Sequence, residues 1–402
     1  MRKLPTTGAE AFQRPVERGR QSSSNGAGAN GTPRTTDPAE KYFEREGFEI
    51  EEIPPEELPA VSNRRSGVAF RVTDGTLDGE IKASDTIGVF TAPDATIRAG
   101  AHFRGGGGCF RFEDRAGGSE VRRFELDVRD PGKGAKWIIN RGVRLRDVTV
   151  RGEQDAAPGT QWGAGIYIAG LGAGETVVLE NVRQPGGASR TEGVPSHHDS
   201  IGVILEGSCD GDLRMTGCEH GKFPNNSIYA SGPTKKGNDG RAVVENCTLR
   251  NSDRDQVRVG ADSVVRNCTL VANKQAPGFD NLRGGWIRYS RGVTFENNTI
   301  RTYPGTDPGE AIRVDSTAAS ATIRNNDIEL RGDHHAARGL CAYSPDEEAR
   351  DAGADITVED NSFSGTGEPR DVILIQKGRG GSTIRNNDIN VPGAEDRIDF
   401  RR

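Results

Sequence analysis

Three arginines and two tyrosines recur at equivalent places of a repeated pattern and could together hold a negatively charged sugar. Each is the middle residue of a triplet with apolar ends, such as Val257-Arg258-Val259. The middle residues are, in chain order, Tyr167, Gly202, Tyr229, Arg258, Arg288, Arg313, Cys341 and Leu374. Arginine binds carboxylate or sulfate groups through paired hydrogen bonds, and aromatic rings stack on sugar faces. Arginines stacked about 5 Å apart would repel one another unless carboxylates or an anionic ligand lay between them.

A second series carries carboxylates and stands two residues before each triplet. Its members are Ala164, Asp199, Asn226, Asp255, Gly285, Glu310, Arg338 and Asp371, and Asp315 directly follows the triplet of Arg313. We expect the substrate-binding residues to be Tyr167, Asn226, Tyr229, Arg258, Arg288, Arg313 and Asp315. The alternative is a plain surface on which arginine and aspartate pairs only keep the protein soluble.

Asp199, Asp255 and Glu310 are the candidates for catalysis. Asp199 and Asp255, like Asp255 and Glu310, stand two repeats apart. At strand spacing this is about 9 to 10 Å, which suits an inverting glycoside hydrolase. A polysaccharide lyase would instead use an arginine as base and would need a cation such as Ca²⁺ to neutralise the uronate. Neither set is a motif, so whether the protein is an enzyme stays open; outside the lyase case we expect no cofactor and no metal.

A second repeated phrase shows which elements position these residues. Its clear copies are VENCTL from Val244, VRNCTL from Val265, FENNTI from Phe295, IRNNDI from Ile323, VEDNSF from Val358 and IRNNDI from Ile384. Weaker copies are LRDVTV from Leu145, LENVRQ from Leu179 and MTGCEH from Met215. Successive copies stand 21 to 36 residues apart. A variable interval around a constant strand-like phrase indicates stacked coils with loops of unequal length.

This pattern resembles the right-handed parallel β-helix of the pectate-lyase-like superfamily, which includes phage tailspikes, and of archaeal β-helix repeat proteins. The resemblance covers about residues 65–400. It implies an all-β fold, a single right-handed parallel β-helix solenoid with an N-terminal flexible arm. We divide the chain into an arm and capping segment, 1–60, and the solenoid, 61–402. The superfamily contains lyases, hydrolases, epimerases, tailspikes and noncatalytic proteins, so the fold does not decide the activity.

The fourth residue of the phrase predicts a buried ladder. It is Cys218, Cys247 and Cys268 in three successive copies, and then Asn298, Asn326, Asn361 and Asn387. Asparagine can satisfy backbone groups at a bend, and cysteine replaces it as a small buried residue. A disulfide between Cys247 and Cys268 stays open. The pairs His197-His198 and His334-His335 are interpreted as loop histidines, because metal ligands would have to converge from several coils.

The first sixty residues differ in composition from the rest. Residues 1–36 carry six basic and two acidic side chains and a low-complexity run, which predicts a flexible arm. Residues 37–60 carry nine acidic and two basic side chains and predict a short helix and an extended segment that caps the solenoid. We expect the arm to dock onto other virion or surface proteins, with a homotrimer as a further expectation.

Composition narrows the function classes. The chain has 54 glycines among 402 residues, 33% hydrophobic residues and a mean hydropathy of −0.66, which fits a thin solenoid core. The net charge of −6 argues against a nucleic-acid partner. Arginines far outnumber lysines, which hints at a halophilic source.

Location bears on the choice between functions. The sequence shows neither a signal peptide nor a membrane span, which favours a virion-associated or cytoplasmic protein. The leading hypothesis is a tailspike-like or fibre-like virion or surface component that binds an acidic glycan. The alternatives are a lyase or hydrolase acting in the same groove and a purely structural spike.

Overall fold

A computed structural model of the chain describes residues 37–62, 66–104, 108–130, 132–155, 165–190, 199–273, 282–289, 291–303, 309–331 and 337–401. The histidine pairs at 197–198 and 334–335 and the arm at 1–36 lie outside these ranges. The helices are α1 Pro38–Arg45, α2 Leu58–Val61, α3 Gly232–Lys235 and α4 Glu347–Asp351, with a 3₁₀ turn at Ala101–Phe103.

The remaining elements are short strands. They are β1 Glu49–Ile53, β2 Val68–Val72, β3 Gly75–Leu77, β4 Ile81–Ala83, β5 Ile87–Thr91, β6 Ile97–Ala99, β7 Gly108–Phe112, β8 Glu120–Asp127, β9 Ala135–Ile139, β10 Arg144–Arg151, β11 Gly165–Ile168, β12 Thr176–Glu180, β13 Arg183–Gln184, β14 Val203–Leu205, β15 Asp212–Thr216, β16 Glu219–Gly221, β17 Ile228–Ala230, β18 Ala242–Glu245, β19 Thr248–Arg250, β20 Asp255–Val259, β21 Val264–Arg266, β22 Thr269–Ala272, β23 Arg283–Ile287, β24 Val293–Glu296, β25 Thr299–Thr302, β26 Ile312–Val314, β27 Ala321–Arg324, β28 Asp327–Leu330, β29 Leu340–Ala342, β30 Ile356–Glu359, β31 Ser362–Gly365, β32 Asp371–Ile375, β33 Thr383–Arg385, β34 Asp388–Asn390 and β35 Asp396–Phe400.

The strands stack as the coils of a parallel β-helix. One sheet has twelve strands, in the order β35-β32-β29-β26-β23-β20-β17-β14-β11-β9-β7-β4, and a second sheet of 23 strands wraps the other sides. From β18 onward each coil supplies two strands to the larger sheet and one to the smaller, and each strand pairs in parallel with its equivalent one coil away. The predicted all-β single-solenoid fold is therefore confirmed.

The repeated phrase forms the corner of each coil. Its third residue adopts the left-handed conformation, with φ of 55° at Asn246, Asn267, Asn297 and Asn325. Asparagine tolerates this conformation better than most residues, which explains its recurrence. The strands on either side of Asn267, Asn297 and Asn325 pair in register, so these three residues stack on neighbouring coils as predicted.

The fourth residue of the phrase points inward and forms the expected ladder. Asn298 donates from Nδ2 to the Val265 carbonyl at 2.9 Å and to Oδ1 of Asn326 at 3.0 Å. Asn326 repeats the pattern on Asn361. Cys268 uses its thiol in the same place, donating to the Val244 carbonyl at 3.5 Å. Cys247 and Cys268 are both free thiols, so the disulfide that the sequence left open is absent from this pair.

The segment before the first full coil contains the expected helix and extended piece. Phe43 of α1 is fully buried and stacks on Phe90 at 5.1 Å between ring centroids. The ring of Phe43 lies on the outer side of the sheet and packs against Gly88 of β5. A side chain at Gly88 would not fit, because its Cβ would lie 2.5 Å from that ring. The end of the core is covered instead by β1, which pairs with β2, and by Leu58 of α2. The capping segment thus contributes the first strand of the stack itself.

Candidate functional site

The outer face of the twelve-stranded sheet carries the predicted column with two corrections. Strand pairing aligns Tyr167, Ile204, Tyr229, Arg258, Trp286, Arg313, Cys341 and Leu374. The strand predicted at Ile201 begins at Val203, so Ile204 replaces Gly202. The strand predicted to start at Ile287 ends there, so Trp286 replaces Arg288.

Core packing explains the second correction. Gly285 of β23 pairs with Val257 on one side and with Ile312 on the other, so it takes the inward position that an apolar residue fills in those two coils. The ring of Phe295 fills the space, because a Cβ on Gly285 would lie 2.6 Å from it. Gly285, Trp286 and Ile287 therefore alternate in, out and in, and the indole lies on the outer face.

Trp286 is surrounded by four arginines. Their guanidinium carbons lie 4.8 Å from its ring for Arg258, 4.8 Å for Arg283, 4.6 Å for Arg288 and 5.1 Å for Arg313. Such cation–π contacts contribute from about 0.5 kcal/mol at exposed sites to about 2 kcal/mol where water is excluded. The indole keeps the four cations together where they would otherwise repel one another.

Arg288 reaches this cluster from the turn after β23. Its Nε lies 3.4 Å from Oδ1 of Asp315, and Arg313 approaches the same carboxylate at 3.6 Å. Trp286 donates its indole N–H to the other oxygen of Asp315 at 3.1 Å. Burial alone would raise the pKa of Asp315, but the charges of Arg288 and Arg313 hold it below its usual range. Asp315 is therefore a shared counter-ion.

Tyrosines flank the cluster. Arg258 lies 4.3 Å above the ring of Tyr229 and donates from Nε to Ser231 at 2.8 Å. Arg313 lies 4.2 Å above the ring of Tyr343. Tyr167 stands in the same column, but Ile204 separates it from Tyr229, so it lies outside the cluster.

A row of buried charges underlies the cluster. Asn226 donates to Asp255 at 2.7 Å, and Arg283 bridges Asp255 at 3.3 Å and Glu310 at 2.8 Å. Tyr343 completes the row by donating to Glu310 at 2.8 Å. Arg283 is only 3% exposed, and both carboxylates are more deeply buried still. The row supplies rigid, fully paired charges directly behind the exposed face.

This environment bears on the predicted catalytic residues. Burial works to raise the pKa of Glu310, but the charges of Arg283 and Arg313 outweigh it and hold that pKa below its usual range. A carboxylate held in its ionised form has no proton to donate at neutral pH. Register places Ile201, not Asp199, beside Asn226, because Val203 pairs with Ile228. The catalytic assignment of Asp199, Asp255 and Glu310 stays a prediction.

Sequence reasoning missed four members of the site, Arg254, Arg283, Trp286 and Tyr343. Arg283 and Trp286 were missed because the strand was predicted to start at Ile287, after both residues. The tryptophan in the segment RGGWI, one of three in the chain, was a signal that could have pointed to the site. Arg254 precedes Asp255 and was not considered. Burial, together with the nearby charges of Arg283, Arg288 and Arg313, lowers the pKa of Arg254. Among the described residues, its guanidinium makes no hydrogen bond or ion pair.

We call these residues the cationic strip: Tyr229, Arg254, Asp255, Arg258, Arg283, Trp286, Arg288, Glu310, Arg313, Asp315 and Tyr343. Within the described residues it holds five arginines and three carboxylates, an excess of two positive charges on a chain whose net charge is −6.

No group of three or more His, Cys, Asp or Glu side chains in the described ranges could hold a metal ion. No helix in these ranges is long and apolar enough to cross a membrane.

Comparison with solved structures supports the architecture. PfbA, a surface adhesin of Streptococcus pneumoniae, superimposes with a TM-score of 0.59 at 14% identity, over 86% of this chain and 88% of that chain. The A-module of the Azotobacter vinelandii mannuronan C-5 epimerase AlgE4 gives 0.50 at 15% identity, over 88% and 95%. At these identities the likeness shows the fold alone. A search of curated protein sequences found no significant match.

A family model described as "Right handed beta helix region" matches residues 140–328 and 202–394, which together span more than half of the chain. These ranges contain every member of the cationic strip and every residue of the ladder. The chain therefore belongs to the right-handed parallel β-helix family.

Proposed function

We propose that this protein binds an acidic glycan along the cationic strip. The observation that carries the proposal is the excess of arginines over carboxylates, gathered around Trp286 on an otherwise acidic chain. Arg254, Arg288 and Arg313 are partly exposed and keep donors for a ligand. A carboxylated or sulfated sugar would supply the missing counter-charges.

The rings in the strip favour a sugar over a simple inorganic anion. Tyr229 and Tyr343 of the strip and the neighbouring Tyr289 are partly exposed, and each has an arginine over its ring within 4.6 Å. Aromatic faces and rims contact the apolar side of a pyranose, while arginine binds its acidic substituent. Equivalent positions on successive coils lie about 4.8 Å apart, so a polymer that runs along the solenoid could contact several of them.

Binding is favoured over catalysis by the state of the buried carboxylates. Glu310 is held ionised between Arg283, Arg313 and Tyr343, which suits a counter-ion and does not suit the acid of a glycoside hydrolase. A lyase that uses an arginine as base remains the alternative, with Arg288 and Arg313 as its nearest candidates. A purely structural spike is the second alternative.

We place the protein on a virion or cell surface as a tailspike-like or fibre-like component. The shared fold with a solved surface adhesin and a mannuronan epimerase supports a role on carbohydrate. Residues 1–36 would attach the solenoid to other particle or surface proteins. Detection of the protein in purified particles or at the cell surface would test this placement.

The binding test compares polyuronates and sulfated glycans with neutral polymers on an array and by calorimetry. Its variant carries Arg254→Gln, Arg288→Gln and Arg313→Gln. The matched control carries three changes on other faces, Arg183→Gln, Arg241→Gln and Arg301→Gln, because each of those arginines pairs with a surface carboxylate. Both variants lose the same net charge.

We expect the first variant to lose at least about tenfold in affinity, which corresponds to about 1.4 kcal/mol, and the control to bind like the wild type. Binding by the wild type should also weaken with added salt. Equal losses in the two variants would mean that net charge alone attracts the glycan. Unsaturated or reducing-end products formed from a bound polysaccharide would make the protein an enzyme and displace the binding-only proposal.

A further inference from the structure

Arg379 is a fully buried cation in the turn that follows β32. Burial lowers its pKa to about 10, so it still carries its charge at neutral pH. Within the described ranges, its guanidinium donates to backbone carbonyls and to no carboxylate. Burying a charge without an ionic partner is costly unless other polar groups compensate for it. The carbonyl groups around this arginine must supply that compensation.

Five backbone carbonyls surround the guanidinium. Its Nε donates to the carbonyl of Tyr343 at 2.7 Å. Nη1 donates to Ala354 at 2.7 Å and to Ala319 at 3.1 Å. Nη2 donates to Ala318 at 2.8 Å and to Asp315 at 3.0 Å. An arginine has five N–H donors, so each donor has one carbonyl and none is left over.

The five carbonyls belong to segments that connect the strands of successive coils. Asp315 follows β26, Tyr343 follows β29 and Arg379 follows β32, and these three strands pair in register. Two further carbonyls lie in residues 315–319, which we call the Asp315 turn, and the last lies beyond the end of α4. Arg379 therefore ties together connections of three coils that strand pairing alone does not fix.

The Asp315 turn carries the shared counter-ion of the cationic strip. Within the turn, Thr317 donates its hydroxyl to Oδ1 of Asp315 at 3.1 Å and accepts the backbone N–H of Tyr289 at 3.0 Å. The carboxylate is thus bonded to its own turn as well as to the strip. Because Arg379 holds three carbonyls of this turn, the place of the carboxylate depends on that arginine.

A second residue of the strip is held in the same way. The carbonyl of Tyr343 accepts from Arg379, while its hydroxyl donates to Glu310 at 2.8 Å. Beside it, the side chain of Gln376 accepts the backbone N–H of Ser344 at 3.1 Å. The turn after β32 therefore contacts the backbone of both strip residues that follow the neighbouring strands.

We propose that Arg379 is a positioning residue of the cationic strip, which fixes the Asp315 turn and thereby the carboxylate that draws Arg288 and Arg313 together. Its effect on glycan affinity rests on the proposed function, whereas its effect on Asp315 does not and can be measured without a ligand. An arginine that served stability alone would leave the affinity of each folded molecule unchanged.

The first test follows the carboxyl carbon of Asp315 by NMR, with Asp315→Asn to assign its signal. Arg288 and Arg313 outweigh burial and hold the pKa of Asp315 below its usual range in the wild type. Arg379→Lys is the decisive variant, because it keeps the charge but replaces the planar five-donor fork with a single ammonium. The Asp315 turn should loosen, and the pKa of Asp315 should rise toward about 3.9, its ordinary value.

Two comparisons accompany this titration. Lys377→Met is the matched control, because Lys377 is an exposed cation two residues away in the same turn and should leave the pKa of Asp315 unchanged. Hydrogen exchange of the wild type examines the turn without any substitution. The amide of Ala318 donates to Asp315 at 3.1 Å and that of Asp346 donates to Ser316 at 2.9 Å, so both should be protected.

The second test measures affinity for polygalacturonate and for dextran sulfate, a carboxylated and a sulfated probe. Arg379→Lys should weaken binding at least about fivefold in the wild-type background and much less in the Asp315→Asn background, because it acts through Asp315. Affinities are expressed per folded molecule, with the folded fraction taken from circular dichroism. A loss of stability is thereby counted separately from a loss of binding.

An unchanged pKa of Asp315 in folded Arg379→Lys would overturn the inference. Equal losses of affinity in the two backgrounds would do the same, as would unprotected amides at Ala318 and Asp346 in the wild type. If the wild type binds neither probe, the proposed function fails, while the titration and the hydrogen exchange still decide the role of Arg379.

Discussion

Removing the positive charge of Arg283 should destabilise the solenoid strongly. Arg283 is 3% exposed and is the bridge between two buried carboxylates, Asp255 and Glu310. Arg283→Met keeps the length and apolar stem of the side chain but leaves both carboxylates without their main counter-ion. Breaking a buried ion pair by removing one partner costs about 3 to 5 kcal/mol. We expect the free energy of unfolding to fall by about that amount near pH 7.

The size of this effect should depend on pH. In the wild type the pKa of Glu310 is lowered, so its contribution to stability is present above its unfolded pKa and is lost as the pH falls. In the variant the burial of Glu310 is no longer offset by Arg283, so its folded pKa should move upward. As the pH falls, the variant therefore loses less of its free energy of unfolding than the wild type does. The difference between the two should be largest near pH 7 and should shrink toward pH 4.

A second arginine provides the matched control. Arg301 also bridges two carboxylates, Asp327 at 2.7 Å and Glu329 at 2.9 Å, but on the surface. Exposed ion pairs contribute only about 0 to 1 kcal/mol, so Arg301→Met should have a small effect at every pH. Urea unfolding followed by circular dichroism measures both variants.

The reasoning also predicts a repair. Adding Asp255→Asn and Glu310→Gln to Arg283→Met removes the stranded charges and should recover most of the lost stability. Equal losses for Arg283→Met and Arg301→Met, or a loss that does not change with pH, would refute the account of the buried row.

Three further outcomes follow from single positions. Gly285→Ala should lower stability by about 1 to 3 kcal/mol through overpacking against Phe295, whereas Gly380→Ala, which has open space, should be nearly neutral by the same urea assay. Asn326→Ala should cost about 1 to 3 kcal/mol in the same measurement, because it breaks the ladder and leaves buried backbone groups unsatisfied. His220 is fully buried and its pKa is lowered by burial to about 4, so wild-type stability should fall as the pH drops from about 6.5 toward 4, and His220→Leu should remove that slope in thermal unfolding at stepped pH.

The sequence was most informative where a residue type is forced by the backbone. The corner of each coil needs a left-handed residue followed by a small buried one, so asparagine and cysteine recur there and reveal the register of the larger sheet. The outer column was correct in six of eight coils, since its triplets carry apolar residues at both ends and those residues fill the core.

The two errors have a common physical origin. In each, an apolar triplet lies beside the true strand, and the choice between them depends on contacts with other coils. At β23 the decision lies with Phe295, whose ring occupies the space in front of Gly285. The local sequence does not show that Gly285 faces the ring of Phe295, because Phe295 lies on the following strand, β24. The sequence placed most of the outer column correctly, but it misplaced the strands at Ile201 and Ile287 and missed Trp286.

The packing of Phe295 also determines the chemistry of the outer face. Because its ring fills the inward space at Gly285, Trp286 points to the outer face of the sheet, where the surrounding side chains leave it only 7% exposed. The indole then contacts four guanidinium groups and donates to Asp315, which draws Arg288 and Arg313 toward one carboxylate. A single large side chain in the core thus fixes which residue the cations gather around. The cationic strip is therefore an extension of the packing inside the solenoid, and it is as rigid as the coils that carry it.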